Sequence, residues 1–285
     1  MPLLPDAPPR SPLPKGATDC HMHIYGDSER YPVNAASPFK PVAEGTVENY
    51  RKLMDVLGQT RAVIVQPSAY GTDNSCTLDA MAEIGAEARG VAVVDESVTD
   101  EELQRLSGLG IRGLRYFMLS GGVLSWESLP RLAGRVAEHG WHIQLQMDGR
   151  ALADRMSVLA KLPGDLVIDH NGKFLEPVEV NHPGVSALRR LIDAGRTYVK
   201  TSGVYETSAE GPPRYEDVAV LARTFIKHYP ERCLWATNWP HPSKPSDLPD
   251  DSHLADLFAG WCGSETVRTR ILVANPAEVY GFPAV

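Results

Sequence analysis

The sequence predicts a single α/β domain, a (β/α)8 barrel of the TIM type. Two observations carry this. Eight short apolar runs recur along 285 residues, each followed by a stretch of helical periodicity. No repeated sequence and no internal linker divides them, and no G-x-G-x-x-G or P-loop follows any of them, which ranks a doubly wound open sheet second.

The proline-rich residues 1–16 read as an irregular arm, and residues 17–285 as the barrel. The first strand is expected at 17–23. A long connection carrying Tyr25, Tyr31 and Phe39 runs on to Gly45, and its length marks a functional loop. Thr46 is placed to cap a helix with Val47, Tyr50, Leu53, Met54 and Leu57 on one face, and Gly58 stops it. Residues 61–66 form an apolar run of the buried parallel type, with a helix expected over 76–88. Six more strands are expected at 91–94, 111–117, 142–147, 166–170, 198–202 and 233–237. Helices starting near Thr99, Trp126, Ala151, Gly184 and Tyr215 separate them, and helical segments over 252–261 and 265–272 close the chain.

A net charge of −8 and a pI near 5.6 argue against nucleic acid or an anionic membrane as partner. The chain has no basic segment leading into an apolar one, and no run of about 18 apolar residues. Cys20, Cys76, Cys233 and Cys262 are far apart without C-x-x-C spacing; disulfides stay open, and reduced thiols are expected. The expectation is a soluble cytoplasmic protein with a small-molecule partner. Assembly into a homo-oligomer is left open.

In the first strand, the period of two puts Asp19, His21 and His23 on one face, with Cys20 and Met22 on the other. Two imidazoles at one strand end converge on a point suited to a metal ion or a carbonyl oxygen. In a barrel the strand ends share one mouth, which here receives Asp19, His21, His23, Gln66, Tyr70, Arg115, Gln146, His170, Lys173, Tyr205, Asn238, Trp239 and His241. Arg115 suits a substrate carboxylate, and Lys173 is a second anion-binding candidate. Tyr70, Asn74, Tyr205 and Trp239 are candidates to line the pocket.

His21-x-His23, the run His170-Asn171-Gly172-Lys173-Phe174, the run Ser202-Gly203-Val204-Tyr205-Glu206 and the turn Thr237-Asn238-Trp239-Pro240-His241 resemble the amidohydrolase superfamily, and within it the lactone-processing branch. The resemblance covers residues 16–282. It implies a carboxylated sugar lactone as substrate, within aldarate or uronate catabolism. Metal-using members carry a lysine or glutamate after strand four, a histidine after strand five and an aspartate ending strand eight. This chain has Arg115 or Phe117, Gln144 or Gln146, and Asn238 at those places.

A neutral amide is a poor metal ligand and Arg115 repels a dication, so the resemblance favours the metal-free members. One zinc on His21, His23 and His170 is the alternative. Without a metal, the three imidazoles are expected to polarise a lactone carbonyl, with Asp19 orienting His21. Asn238 cannot take a proton from water. A hydroxyl of the substrate, held near the carbonyl, needs a weaker base. The expected activity is therefore lactone isomerisation between 1,5- and 1,4-rings. The alternatives are a lactone hydrolase using His170 or His241 as base, and a non-catalytic sugar-acid-binding barrel.

Overall fold

Buried apolar runs alternating with amphipathic helices can hide both faces of every strand only if the sheet is wrapped in helices. The computed structural model describes residues 3–35, 37–244 and 247–285. Its strands are β1 (Thr18–Met22), β2 (Arg61–Val65), β3 (Ala88–Ala92), β4 (Ile111–Phe117), β5 (His142–Gln146), β6 (Leu166–Ile168), β7 (Thr197–Lys200) and β8 (Cys233–Leu234). They pair in parallel and in sequence order. Backbone bonds from Cys20 N to Trp235 O (3.0 Å), Asn238 N to His21 O (2.9 Å) and His23 N to Trp239 O (2.8 Å) bring the last strand back to the first. The architecture is the expected (β/α)8 barrel.

Outside it lie α1 (Val47–Leu57), α2 (Ser75–Ile84), α3 (Asp100–Gly108), α4 (Leu129–Ala137), α5 (Leu152–Leu159), α6 (Pro183–Asp193), α7 (Glu216–His228) and α8 (Asp251–Cys262). The signals read for α1 hold: Thr46 Oγ1 accepts from Asn49 N, and Gly58 ends the helix at φ 74°. The third strand starts earlier than expected, at Ala88, because α2 ends at Ile84, four residues sooner, with Gly85 as its cap. Strands six to eight are shorter than expected, since the chain leaves the sheet in tight turns at His170, Val204 and Asn238. After α9 (Glu265–Thr269), a wide helical turn and α10 (Asn275–Tyr280) extend the final helical region beyond residue 272.

Two apolar layers result. Met22, Ile64, Leu114, Ile143 and Val199 face the helices, packing with Leu53, Leu103, Leu132 and Phe225. Cys20, Val63, Val65, Val91, Val167, Tyr198 and Leu234 fill the barrel, closed below by Tyr280 and Phe282. All four cysteines are free and buried. No helix among the described residues is long and apolar enough to cross a membrane.

One expectation about β1 fails. Asp19 pairs with Ala62, but Met22 pairs with Ile64, so three steps on β1 match two on β2. A bulge of this kind shifts side-chain parity and re-aims the residues after it. Cys20 therefore points into the barrel, as His21 does, while Asp19 turns outward toward Tyr50 of α1.

Candidate active site

At the C-terminal ends of the strands a cleft of about 330 Å³ opens, lined by His23, Arg115, Gln146, His170, Lys173, Glu206 and Asn238, with Tyr25, Phe39, Phe117, Leu119 and Leu175 around them. Two strands bring their side chains here by register alone. Arg115 lies beside Gln144, and Phe117 beside Gln146, across β4 and β5. The others are aimed by backbone in the left-handed region: His170 (φ 50°), Asn171 (56°), Lys173 (47°), Asn238 (62°) and His241 (61°). Such a run of non-glycine residues with positive φ is costly and persists where surrounding contacts impose it. Asn171 Nδ2 donates to Ser202 O at 2.9 Å, tying the loop after β6 to the one after β7.

Behind the cleft is a fully buried polar network. Lys200 Nζ donates to Gln144 Oε1 at 2.6 Å and lies 3.2 Å from Asp169 Oδ1. Gln144 Nε2 donates to Asp169 Oδ2 at 3.1 Å. His21 Nδ1 is 3.3 Å from both Asp169 Oδ1 and Lys200 Nζ, and its Nε2 is 3.3 Å from Nε2 of His23. Burial alone would raise the Asp169 carboxyl, but the Lys200 ammonium and His21 hold it well below the usual carboxylate range. Burial pushes His21 well below an ordinary imidazole, and takes His23 down to about 3 with help from Arg115.

In the cleft itself, Lys173 Nζ donates to Glu206 Oε2 at 2.6 Å, and Ser243 Oγ bonds the other oxygen. Burial would raise Glu206, yet Lys173 and His170 keep it at about 2. His170 is lowered to about 4 by burial, against the pull of Glu206. Its Nδ1 meets Ser202 Oγ at 3.0 Å, and its Nε2 lies 3.8 Å from Glu206. Arg115 Nη1 donates to Gln66 O (2.7 Å) and Ser68 Oγ (3.2 Å), its Nη2 reaches Gln146 Oε1 (3.5 Å), and its buried Nε has no partner. No described carboxylate pairs with it.

Apart from Asp19, Gln66 and His21, the last fully buried in the network behind the cleft and not part of its wall, the expected residues divide into three groups. His23, Arg115, Gln146, His170, Lys173 and Asn238 line the cleft. Tyr205 and His241 stand behind Asn238. Asn238 Nδ2 donates to Tyr205 Oη (2.8 Å), which bonds His241 Nδ1 (2.7 Å), whose Nε2 bonds Asp251 (3.1 Å). Tyr70, Asn74 and Trp239 have structural partners instead. Tyr70 accepts from Gly26 N, Asn74 pairs with both backbone groups of Val93, and Trp239 packs on Tyr50 in the core.

Asp19 is a correction. Its carboxylate does not reach the ring of His21 but accepts from the backbone of His21 and Thr237, from Thr237 Oγ1 and from Tyr50. Burial raises it to about 6 against those bonds. The bulge that follows Asp19 puts it and His21 on opposite sides of β1, and Asp169 takes the expected place beside His21. Asp169, Lys200 and Glu206 are not among the residues expected at the mouth, yet they form the ion pairs in and behind the cleft. The signals that point to them are a charge within an apolar strand (Lys200), the position of Asp169 before His170, and the place of Glu206 at the end of the run from Ser202.

Among the described residues, His21, Asp169 and His170 form one group close enough to consider for a metal, with ligand atoms within 4.8 Å of one another. The donor set fits a dication poorly. Both Asp169 oxygens are engaged by Lys200 and Gln144, strand eight offers an amide already bonded to Tyr205, and two cations, Lys200 and Arg115, stand close by.

Comparison with known proteins agrees with this architecture. The amidohydrolase family description matches residues 18–282. The chain is 37% identical over 280 residues to D-galactarolactone isomerase of Agrobacterium fabrum, covering 97% of this chain and 95% of that one. It is 32% identical over 282 residues to a 2-pyrone-4,6-dicarboxylate hydrolase of Comamonas testosteroni, covering 95% and 92%. An apo crystal structure of an Agrobacterium tumefaciens protein superposes with a TM-score of 0.93 at 36% identity, covering both chains fully. The chain belongs to the amidohydrolase family.

Proposed function

We propose that the protein isomerises a lactone bearing one carboxylate, of the D-galactarolactone kind, by intramolecular acyl transfer and without a metal ion. One observation carries this reading over hydrolysis: among the described residues, the cleft holds no carboxylate free to act as base. Glu206 is locked to Lys173 and held at about 2, and the strand-eight position is Asn238. Activating water needs a base of matched pKa. A hydroxyl on the substrate, already beside the acyl carbon, has a high effective molarity and needs less help.

The step balances within the substrate. The hydroxyl oxygen bonds the acyl carbon, the bond to the old ring oxygen breaks, and the hydroxyl proton passes to that oxygen. His170 is the group suited to carry the proton. It lines the cleft and is neutral near pH 7, whereas the nitrogens of His21 and His23 are engaged by one another and by Val65 O, Asp169 and Lys200. Arg115 suits the carboxylate.

Charge counting supports a single carboxylate. Lys173 is balanced by Glu206 and Lys200 by Asp169, leaving Arg115 as the unpaired cation among the described cleft residues. A dicarboxylate would leave its second charge without a partner. A localisation in the cytoplasm and a role in aldarate breakdown follow as part of this reading.

The test is to incubate a monocarboxylated 1,5-lactone with chelator-treated protein in ¹⁸O-water and follow it by ¹³C NMR. The expected product is the 1,4-lactone without ¹⁸O. Open-chain acid carrying ¹⁸O would instead establish the hydrolase reading, and activity restored only by about one zinc per chain would overturn metal independence. His170→Gln should lower kcat by about a hundredfold.

A further inference from the structure

We propose that Lys200 is a positioning residue: by donating to Nδ1 of His21, it fixes that imidazole as the Nε2–H tautomer and makes His21 the donor to His23. The inference concerns the network behind the cleft and rests on the functional reading above only for its effect on turnover.

Hydrogen-bond accounting carries it. Val65 O, a carbonyl, can only accept, so His23 Nδ1, 2.7 Å away, holds the proton and His23 Nε2 is bare. That bare nitrogen faces His21 Nε2 at 3.3 Å, and a bond there needs the proton on His21. His21 Nδ1 then needs a donor. Lys200 has three N–H groups and nothing but donors. Two go to Gln144 Oε1 and Asp169 Oδ1, and the third has His21 Nδ1 within reach at 3.3 Å. Gln144 Nε2, the other nearby donor, places one N–H on Asp169 Oδ2 at 3.1 Å and brings its second to His21 Nδ1 only at the longer 3.4 Å, without the charge that the Lys200 ammonium adds to its bond.

The opposite tautomer would send Nδ1–H of His21 to Asp169 Oδ1, also 3.3 Å away. It would strand the third N–H of Lys200 in a site with no solvent exposure and set two lone pairs against each other between His21 and His23. Orphaned buried donors and acceptors are strongly disfavoured. The doubly protonated ring would place a third buried cation beside Lys200 and Arg115. Neither alternative satisfies the group as a whole.

The consequence reaches the cleft through His23, whose ring forms part of its wall, and through His170, which packs on His21 with ring centroids 4.8 Å apart. Loss of the ammonium should turn His21 toward Asp169 and release its hold on His23, while Arg115 is untouched.

The experiment is long-range ¹H–¹⁵N NMR of the histidine rings in the full-length protein at pH 7, with His21 and His23 assigned from His21→Gln and His23→Gln. The expected result is Nε2–H for His21 and Nδ1–H for His23. An Nδ1–H or doubly protonated His21 in the unmodified protein overturns the proposal, whatever any variant does. Asp169→Asn should leave His21 as Nε2–H; a change of tautomer there would show that Asp169, not Lys200, sets it. Where Lys200→Met folds, His21 should switch to Nδ1–H and kcat should fall about tenfold or more, with KM changing less than about threefold. An unchanged tautomer in that variant also refutes the proposal.

Discussion

Lys173–Glu206 and Lys200–Asp169 are the same chemical pair, one lysine and one carboxylate, held in two ways. The first joins loop turns after β6 and β7, lines the cleft and makes the shorter contact, 2.6 Å. The second joins the last residue of β7 to the residue after β6, has no exposed atoms on either partner, and is shared with Gln144 and His21. The cleft pair withdraws a carboxylate from base chemistry. The buried pair sets how two imidazoles share their protons. What separates them is context: a side chain on a turn at the water's edge can exchange partners, and one wedged between barrel strands cannot.

The largest expected effect breaks this contrast directly. Lys200→Met leaves a buried carboxylate unpaired and should cost about 3–5 kcal/mol of unfolding free energy. Lys173→Met leaves Glu206 with Ser243 and cleft water, and should cost about 1–2 kcal/mol. Urea titrations of both variants check the difference, and equal losses would mean the two pairs are energetically alike.

Next in size is Arg115→Met, which tests the charge count. It should raise KM for a monocarboxylated lactone about 30- to 100-fold, the scale of a charge-assisted pair, with little change for a neutral lactone. Equal losses for both substrates would remove Arg115 as the carboxylate anchor.

Acid should read the imidazoles before either ion pair. His170 (about 4), His23 (about 3) and His142 (about 3) sit below the ordinary 6.5, so the unfolded chain takes up protons first. Their contribution is full above pH 6.5 and is lost as pH falls toward 4. Asp19 runs the other way: raised to about 6 from 3.8, it favours the fold below 3.8, and that benefit fades as pH rises through 6. Three imidazoles outweigh one carboxyl, so the denaturation midpoint should fall between pH 6.5 and 4. Glu206, lowered from 4.5 to about 2, holds its contribution above pH 4.5 and loses it toward 2. Asp169, also held well below its ordinary 3.8 by Lys200 and His21 against the effect of burial, keeps its contribution above 3.8 and loses it as pH falls below that. His142→Leu should shallow the decline between 6.5 and 4 by about 1.4 kcal/mol per pH unit. An unchanged slope would mean that His142 is charged in the fold.

The smallest expected effect is a gain. Asn238→Asp supplies, beside the neutral side of the site, the carboxylate that the Lys173 pair denies on the other. Tyr205 would then donate to the new carboxylate rather than accept from the amide. The variant should release a detectable fraction of open-chain acid from the lactone, measured as ¹⁸O incorporation. None above the uncatalysed rate would mean that exclusion of water, rather than a missing base, prevents hydrolysis.

The sequence by itself determined the barrel, because strands buried on both faces and followed by helices leave few other ways to hide apolar surface. It also located six residues that line the cleft, from His23 to Asn238, since barrel topology sends strand ends to one mouth. Tertiary structure alone decided which of them are free to act. The period of two identifies a strand face only until a bulge intervenes, and the one between Asp19 and Met22 put His21 on the side of the strand away from Asp19 and left the place beside it to Asp169. Lys200 meets His21 across 179 positions of sequence, a contact that no local pattern encodes. Pairing of charges inside a closed barrel depends on strand register and loop conformation together, and these exist only once all eight strands have met.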